Sequence, residues 1–251
     1  MNVLDESTAR TSRVAVLVVG DEILRGQVRD SNAHYMAQRL FDGGAELRCV
    51  QVVGDEVEAI AEAVSILSVA HDYLIVCGGI GPTHDDVTME AVARAFGVDL
   101  SPKKELVELL EGWRGVPLDA AVRRMTLVPE GAGLLPVEGF MPVVQMKNTV
   151  VLPGVPRILR VSFDAISGIF QTGEPPRRTR CFVTKEREHR IAENLRCFAL
   201  EVGPNVSVGS YPRRTPTDAA VVRITLTSRD IEALEVAHAR LLERIPDLKP
   251  E

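Results

Sequence analysis

Positive charge is in short supply: 29 Lys and Arg stand against 35 Asp and Glu, a formal net charge of -6. That balance leaves no electrostatic footprint for nucleic acid or an anionic membrane surface. It also means that a phosphate ligand must be drawn by local amides or a metal ion. Long apolar runs are missing too. None reaches the roughly 18 residues of a membrane-spanning helix. Residues 1–12 are polar and mixed in charge, unlike a secretory signal. The expectation is a soluble, cytoplasmic protein with a short disordered arm over 1–12. Cysteine is sparse and widely spaced, at Cys49, Cys77, Cys181 and Cys197, with no C-x-x-C pair. Such spacing reads as reduced thiols rather than a metal site or a disulfide framework. The Walker A, G-x-G-x-x-G and G-x-S-x-G signatures are all absent, which argues against P-loop, dinucleotide-binding Rossmann and serine-hydrolase chemistry.

What is present is an alternation of strand and helix patterns. Val14 to Val19 is a continuous apolar run of the kind that suits a parallel strand covered on both faces. Ala33, Met36, Ala37 and Leu40 recur at helical spacing, with Asp30 or Ser31 as N-cap and Gly43-Gly44 as the stop. Leu47 to Val53 reads as a second strand, Ile60 to Leu67 as a helix stripe, and Tyr73 to Cys77 as a third strand. Helices follow at Met89 to Phe96 and Leu106 to Trp113. The stretch from Val116 to Phe140 reads as irregular, then strands at 143–146 and 149–152 precede Pro153-Gly154-Val155-Pro156 and a helix to Phe170. This order predicts an α/β sandwich around a mainly parallel sheet over 13–173. A linker rich in Pro, Gly and Arg then leads to a small α+β domain over 177–251.

One segment carries most of the chemistry: Gly78-Gly79-Ile80-Gly81-Pro82-Thr83-His84-Asp85-Asp86-Val87-Thr88. It joins a strand pattern to a helix pattern, where backbone amides and the helix dipole can face an anion. Two adjacent carboxylates would repel a bare phosphate. With a divalent ion between, they would help to hold one. A purely structural reading makes Thr83 and Asp86 a capping box and Asp85 a dipole partner. That reading leaves three glycines, a proline and the second aspartate unexplained.

Other candidates follow strands and so belong on the same rim, beyond the carboxyl ends of the sheet. Gly20, Asp21 and Gly26 come first, then Asp30 and Asn32 at a helix start, where Asp, Ser and Asn are also favoured caps. Asp55 is either a helix cap or a ligand group. His84 is either a phosphate or metal partner or an exposed loop residue. Pro153 and Gly154 either bring amides to the pocket or stiffen a turn. Farther on, Gly209 to Arg214 offers Ser, Tyr and two Arg for an anionic or aromatic ligand, or is a solvated loop.

The set G-D-E-I, D-S-N, G-G-I-G-P-T-H-D-D-V-T and P-G-V-P resembles the molybdopterin-binding domain family, which includes molybdenum-cofactor biosynthesis and competence-damage-inducible proteins. The likeness is nearest to the N-terminal domain of eukaryotic FAD synthase, which shares the histidine of the glycine loop. The resemblance implies a three-layer α/β sandwich that forms dimers or trimers and binds a pterin phosphate or a nucleotide. It implies metal-dependent pyrophosphatase action on FAD-like or ADP-ribose-like diphosphates; the alternatives are a non-catalytic pterin or flavin nucleotide-binding module and a molybdopterin adenylyltransferase. Carried onto this chain, Asp30 and Asp86 are the catalytic candidates. Asp30, Asp85 and Asp86 are the metal candidates, for Mg²⁺ or another divalent ion such as Co²⁺ or Mn²⁺, with K⁺ as a further candidate. Gly20, Asp21, Gly26, Asn32, Gly78, Gly79, Gly81, Pro82, Thr83, His84, Thr88, Pro153 and Gly154 are the candidates for ligand and phosphate contact. A glutamate expected just after P-G-V-P is replaced by Arg157-Ile158. Lacking the adenylyl-transferring domain of FAD synthase, the chain is not expected to make FAD from FMN and ATP.

Overall fold

The computed structural model describes residues 11–171, 173–214, 220–245 and 247–251. The chain divides into two compact units, Met1–Glu174 and Pro175–Glu251. The arm expected over 1–12 lies outside the described residues except for Thr11 and Ser12. Ser12 is buried, and its carbonyl accepts the Glu46 amide.

The first unit runs β1 (Arg13–Val19), α1 (Asp21–Leu24), α2 (Asn32–Asp42), β2 (Glu46–Val53), α3 (Val57–Ala70), β3 (Tyr73–Cys77), α4 (Thr88–Phe96), β4 (Leu100–Pro102), α5 (Lys104–Arg114), α6 (Ala120–Arg124), β5 (Leu127–Pro129), β6 (Gly133–Leu135), β7 (Val143–Met146), β8 (Thr149–Leu152) and α7 (Pro156–Ile166), closed by a 3-10 turn at Ser167–Phe170. Its main sheet has the order β2-β1-β3-β8-β7-β6. The first four strands are parallel, and the β8-β7-β6 edge is antiparallel. β4 and β5 form a separate antiparallel pair.

The apolar run of β1 is explained by its two covered faces. Ala15, Leu17 and Val19 pack with α3 and α4 residues such as Ile60, Val64 and Val92. Val14, Val16 and Val18 pack with Met36 and Leu40 of α2 and Leu159 and Phe163 of α7. A strand alternates its side chains between faces, so burial on both removes the polar alternation. The mainly parallel sheet with helices on both sides is thus the architecture that the sequence predicts.

The stretch expected to be irregular over 116–140 holds α6, β5 and β6 instead. These elements are short, and the two strands take their hydrogen bonds from other strands: Leu100 to Pro102 for β5, Val143 to Gln145 for β6. A local apolar period cannot reveal such segments.

The second unit is β9 (Arg178–Thr184), α8 (Glu188–Val202), β10 (Ser207–Arg214), β11 (Ala220–Ser228), α9 (Ile231–Arg244) and β12 (Lys249–Pro250). Its antiparallel sheet has the order β10-β11-β9-β12. One face is covered: Val222, Ile224 and Leu226 of β11 and Phe182 of β9 join Ile191, Leu195, Phe198, Leu234 and Leu241. The Gly209–Arg214 segment, read either as a ligand-binding stretch or as a solvated loop, is part of β10. Its Ser210 hydroxyl donates to Glu188, and Arg213 pairs with Glu251. Among the described residues no helix is long and apolar enough to cross a membrane.

Candidate functional site

The carboxyl ends of β1, β2, β3 and β8 share one rim because these strands run parallel. Each ends in a glycine-bearing turn: Gly20 after β1, Gly54 after β2, Gly78 after β3, Pro153-Gly154 after β8. The turns after β3 and β8 touch. A methyl built on Gly154 would lie 3.2 Å from the Gly78 Cα, so a side chain there would press the two turns apart by a few tenths of an ångström. Asn32, buried at the start of α2, braces the same corner by donating from Nδ2 to the Gly154 carbonyl at 2.8 Å. Its Oδ1 has no partner among the described residues.

Within the loop, Gly78 belongs to the scaffold. Its φ is +106°, its amide donates to the Leu152 carbonyl at 3.1 Å, and a side chain there would strike the Val19 carbonyl. Thr88 is fully buried; its hydroxyl donates to the Gly78 carbonyl at 2.8 Å, and its amide to Gly79 at 3.0 Å. These two residues were expected to contact ligand, and both instead hold the loop to the sheet. No chain partner is found among the described residues for the amides of Gly79, Ile80 and Gly81. Those three amides, next to the start of the loop, are left to meet an anion.

Asp86 folds back beneath the loop. Its Oδ2 accepts the Thr83 amide at 2.8 Å and the Thr83 hydroxyl at 2.5 Å. A methyl on Gly81 would come within 2.7 Å of that carboxylate oxygen, so the glycine makes room for it. The Thr83–Asp86 closure is its own turn rather than a cap on α4, which starts at Thr88. The carboxyl of Asp85 is held below the ordinary range, chiefly by the Thr83 hydroxyl, then by its own amide and His84. The His84 side chain is 95% exposed, with Nδ1 3.8 Å from Asp85.

The first rim turn spends its polar groups on itself. Gly20 is buried and donates to the Val53 carbonyl, and Gly26 donates to Ile23. The Asp21 amide donates to Asp55 Oδ2 at 2.8 Å, and its carboxylate pairs with Arg25 at 2.5 Å. Gly20, expected to contact ligand, is therefore committed to the sheet. Asp55 does not cap α3; it closes the turn at Asp21. Its carboxyl is pushed above the ordinary value, first by burial and also by the charges of Glu22, Asp21 and Asp85, against the lowering effect of the Asp21 amide. Asp30 accepts the Asn32 amide at 2.9 Å and the Ala33 amide at 3.2 Å, so it, and not Ser31, caps α2. The charge of Asp30 also adds to the burial that pushes the Cys77 thiol up to about 12.

Asp30, Asp85 and Asp86 do not form a ready-made triad. Among the described residues no three His, Cys, Asp or Glu side chains are grouped to hold a metal. Asp30 and Asp86 each accept nearby backbone amides.

A cavity of about 730 Å³ opens beside the glycine loop. From the expected residues it draws Gly79, Gly81, Asp86, Pro153 and Gly154; Asp30, Asn32, Gly26, Asp85, Pro82, Thr83 and His84 are not among its lining. It also draws Glu22 of the G-D-E-I turn and Trp113 of the helix expected to Trp113, neither of them named as a ligand residue, and Arg124, Met125, Phe140 and Met141, which the sequence did not single out. The irregular reading of 116–140 gave no motif to find Arg124, Met125 and Phe140 by.

The profile of the probable molybdopterin binding domain matches residues 15–171, and that of the FAD synthase middle domain matches 176–249. A CinA-like protein of Citrifermentans bemidjiense is 41% identical over 246 residues, covering 93% of this chain and 58% of that protein. A probable FAD synthase of Caenorhabditis elegans is 32% identical over 257 residues, covering 91% of this chain and 49% of that protein. The chain thus spans about half the length of these two relatives. The crystal structure of the protein CinA from Thermoplasma acidophilum superposes with a TM-score of 0.60 at 25% identity, covering 64% of this chain and 98% of that one. The glycine loop, its acidic turn and the sheet beneath all fall inside the first matched segment, and the chain belongs to the molybdopterin-binding domain family.

Proposed function

We propose that this chain is a metal-dependent pyrophosphatase of FAD-like or ADP-ribose-like nucleotides. The observation that carries the reading is the three unpartnered amides of Gly79 to Gly81, which share one cavity with Asp86 and the Pro153-Gly154 turn. Amides preorganised in this way bind phosphate oxygens without reorganisation. The cavity size lies within the usual range for a nucleotide-sized ligand, about 300–1,000 Å³.

The donor chemistry fits a hard divalent ion in a specific sense. Mg²⁺ takes one or two carboxylates together with phosphate oxygens of its substrate, rather than an all-protein cage. Asp85, exposed and held ionised, and Asp86, on the cavity wall, meet that requirement. K⁺, by the same oxygen chemistry, is the further candidate. When bound, the divalent ion would polarise the phosphorus centre and acidify water. The chain's own part is to hold the diphosphate on the Gly79–Gly81 amides, to keep Asp86 in place through Thr83, and to fix the neighbouring turn through Asn32. Asp30 enters this account as the cap that positions Asn32.

The test is to give the purified chain FAD or ADP-ribose with Mg²⁺, Mn²⁺ or Co²⁺ and to follow FMN and AMP, or ribose 5-phosphate and AMP. The expected result is metal-dependent release that falls at least about 100-fold in Asp86→Asn. No release, or equal release by the variant, overturns it.

A second reading is a pterin or flavin nucleotide-binding module. Two observations favour it: Asp30 and Asp86 are both engaged by backbone amides, and Arg157-Ile158 stands where a glutamate was expected. Calorimetric binding without product would select it. ATP consumption only with a pterin present would instead select adenylyl transfer.

A further inference from the structure

Between β4 and β5 the chain leaves the first unit as an arm, α5-turn-α6, and returns to the place it left. The two ends meet. The Lys103 amide donates to the Thr126 carbonyl at 2.8 Å, and just outside it β4 pairs with β5. Thr126 is fully buried at this base, and Lys103 Nζ donates to the Ala132 carbonyl at 2.8 Å. Beyond the base the arm is tied to itself. Arg114 at the end of α5 pairs with Asp119, which caps α6 by accepting the Val122 amide. Among the described residues no hydrogen bond or ion pair joins residues 104–124 to anything outside 103–126.

Packing falls away along the same arm. Leu106, Leu110 and Trp113 stand at i, i+4 and i+7 of α5, one stripe of the helix. Their exposure rises along the stripe from 1% to 7% to 51%. Of the three, Leu106 alone joins the core cluster that α3 and α4 build. A helix seated at one end of its stripe and bare at the other is attached as a hinge is attached. Few buried apolar contacts, with hydrogen bonds confined to the segment, are what local opening requires.

The arm also walls the cavity beside the glycine loop, through Leu106, Trp113, Arg124 and Met125. Val28, from the turn over 20–30, and Val155, after the β8 turn, line the same cavity and are 50% and 56% exposed. Large apolar side chains left in water around one opening mark surfaces that become covered. We infer that the arm over 103–126 is a hinged lid of this cavity, which pivots at Lys103 and Thr126 and closes to bring Trp113 onto Val28 and Val155. Closure removes these three side chains from water. It also expels water from the Gly79–Gly81 amides, which strengthens their hold on an anion. The inference rests on the glycine loop being an anion site and does not depend on hydrolysis of that anion.

Trp113 is the sole tryptophan of the chain, so its emission reports the lid directly. In the free protein, hydrogen exchange is expected to be at least about 100-fold faster in α5 and α6 than in α3 and α4. Pyrophosphate and ADP-ribose, each with Mg²⁺, are then added while calorimetry follows binding. Trp113 emission is expected to shift to the blue, and tryptic cleavage at Arg114, Arg123 and Arg124 to slow about tenfold. The double variant Val28→Ser with Val155→Ser removes the seat at two exposed positions. It is expected to bind pyrophosphate but to lose the shift and the protection. Val116→Ser, at the exposed tip of the arm, keeps both. Thermal melts establish that these variants are folded. Exchange in α5 as slow as in α3 overturns the lid alone. So does bound ligand with unchanged emission and cleavage, or a shift that survives in the double variant. A lid that closes on ADP-ribose without turnover overturns the hydrolytic reading alone, and no binding of either probe overturns both.

Discussion

Two turns leave the same rim with much the same vocabulary of glycine and aspartate, yet they use it in opposite ways. The turn over 20–30 satisfies itself. Gly20 and Gly26 donate to carbonyls, the Asp21 amide goes to Asp55, and Asp30 caps α2. The turn over 78–88 is pinned to the sheet at its ends, by Gly78 and Thr88, and closed on itself at Thr83 and Asp86, but it leaves the amides of Gly79, Ile80 and Gly81, on the lining of a cavity, without a partner among the described residues. The lesson is that a glycine-aspartate motif becomes a ligand site only when its donors are not needed by the fold. Folding removes most candidates by consuming their hydrogen bonds.

The largest effect that sharpens this contrast is expected at Gly78. Its positive φ and contact with the Val19 carbonyl make Gly78→Ala costly, by on the order of 3 kcal/mol. Thermal unfolding should show a large fall in Tm. An unchanged Tm would mean that the loop is not anchored as described. Next is Thr88→Val, which keeps shape but strips a fully buried donor from the Gly78 carbonyl. A loss of about 1–3 kcal/mol is expected in denaturant unfolding, together with weaker nucleotide binding as the loop loosens. A smaller cost, about 1 kcal/mol, is expected for Gly26→Ala, since φ is +68° but nothing lies within 4 Å of the new methyl. Binding should be untouched, and a variant that folds but no longer binds would erase the distinction between the two turns.

The smallest effect concerns Asp55. Its folded pKa is raised, so its bound proton favours the fold. That contribution is present below the ordinary carboxylate range and is lost as pH rises through the raised value. At pH 7 the ionised, partly buried group therefore opposes folding, and Asp55→Asn, which keeps an acceptor for the Asp21 amide, should raise Tm slightly. The gain should vanish below about pH 4. A variant less stable than the parent at pH 7 would show that the charge is compensated within the fold.

The periodic elements of the first unit were readable because each strand or helix declares its buried face locally. Val14 to Val19 suited a doubly covered strand, and Gly97 stops α4 in the left-handed conformation that glycine tolerates. The rim was readable by the same logic, since parallel strands put the turns after Gly20, Gly54 and Gly78 on one edge. Arg124, Met125 and Phe140 were not. They sit in the 116–140 stretch, whose three-residue strands take their hydrogen bonds from β4 and β7 and show no apolar period of their own. Trp113 was legible as a helix residue but not as cavity lining.

The sequence by itself determined the parallel sheet, the order of its helices and the position of the glycine loop, because apolar period and glycine conformation are local properties of the chain. The tertiary structure alone decided which polar groups remain for a ligand. Gly20, Gly78, Thr88 and Asp30 have their hydrogen bonds taken by neighbours, while Gly79 to Gly81 do not, and whether a donor is spent depends on what folding brings beside it.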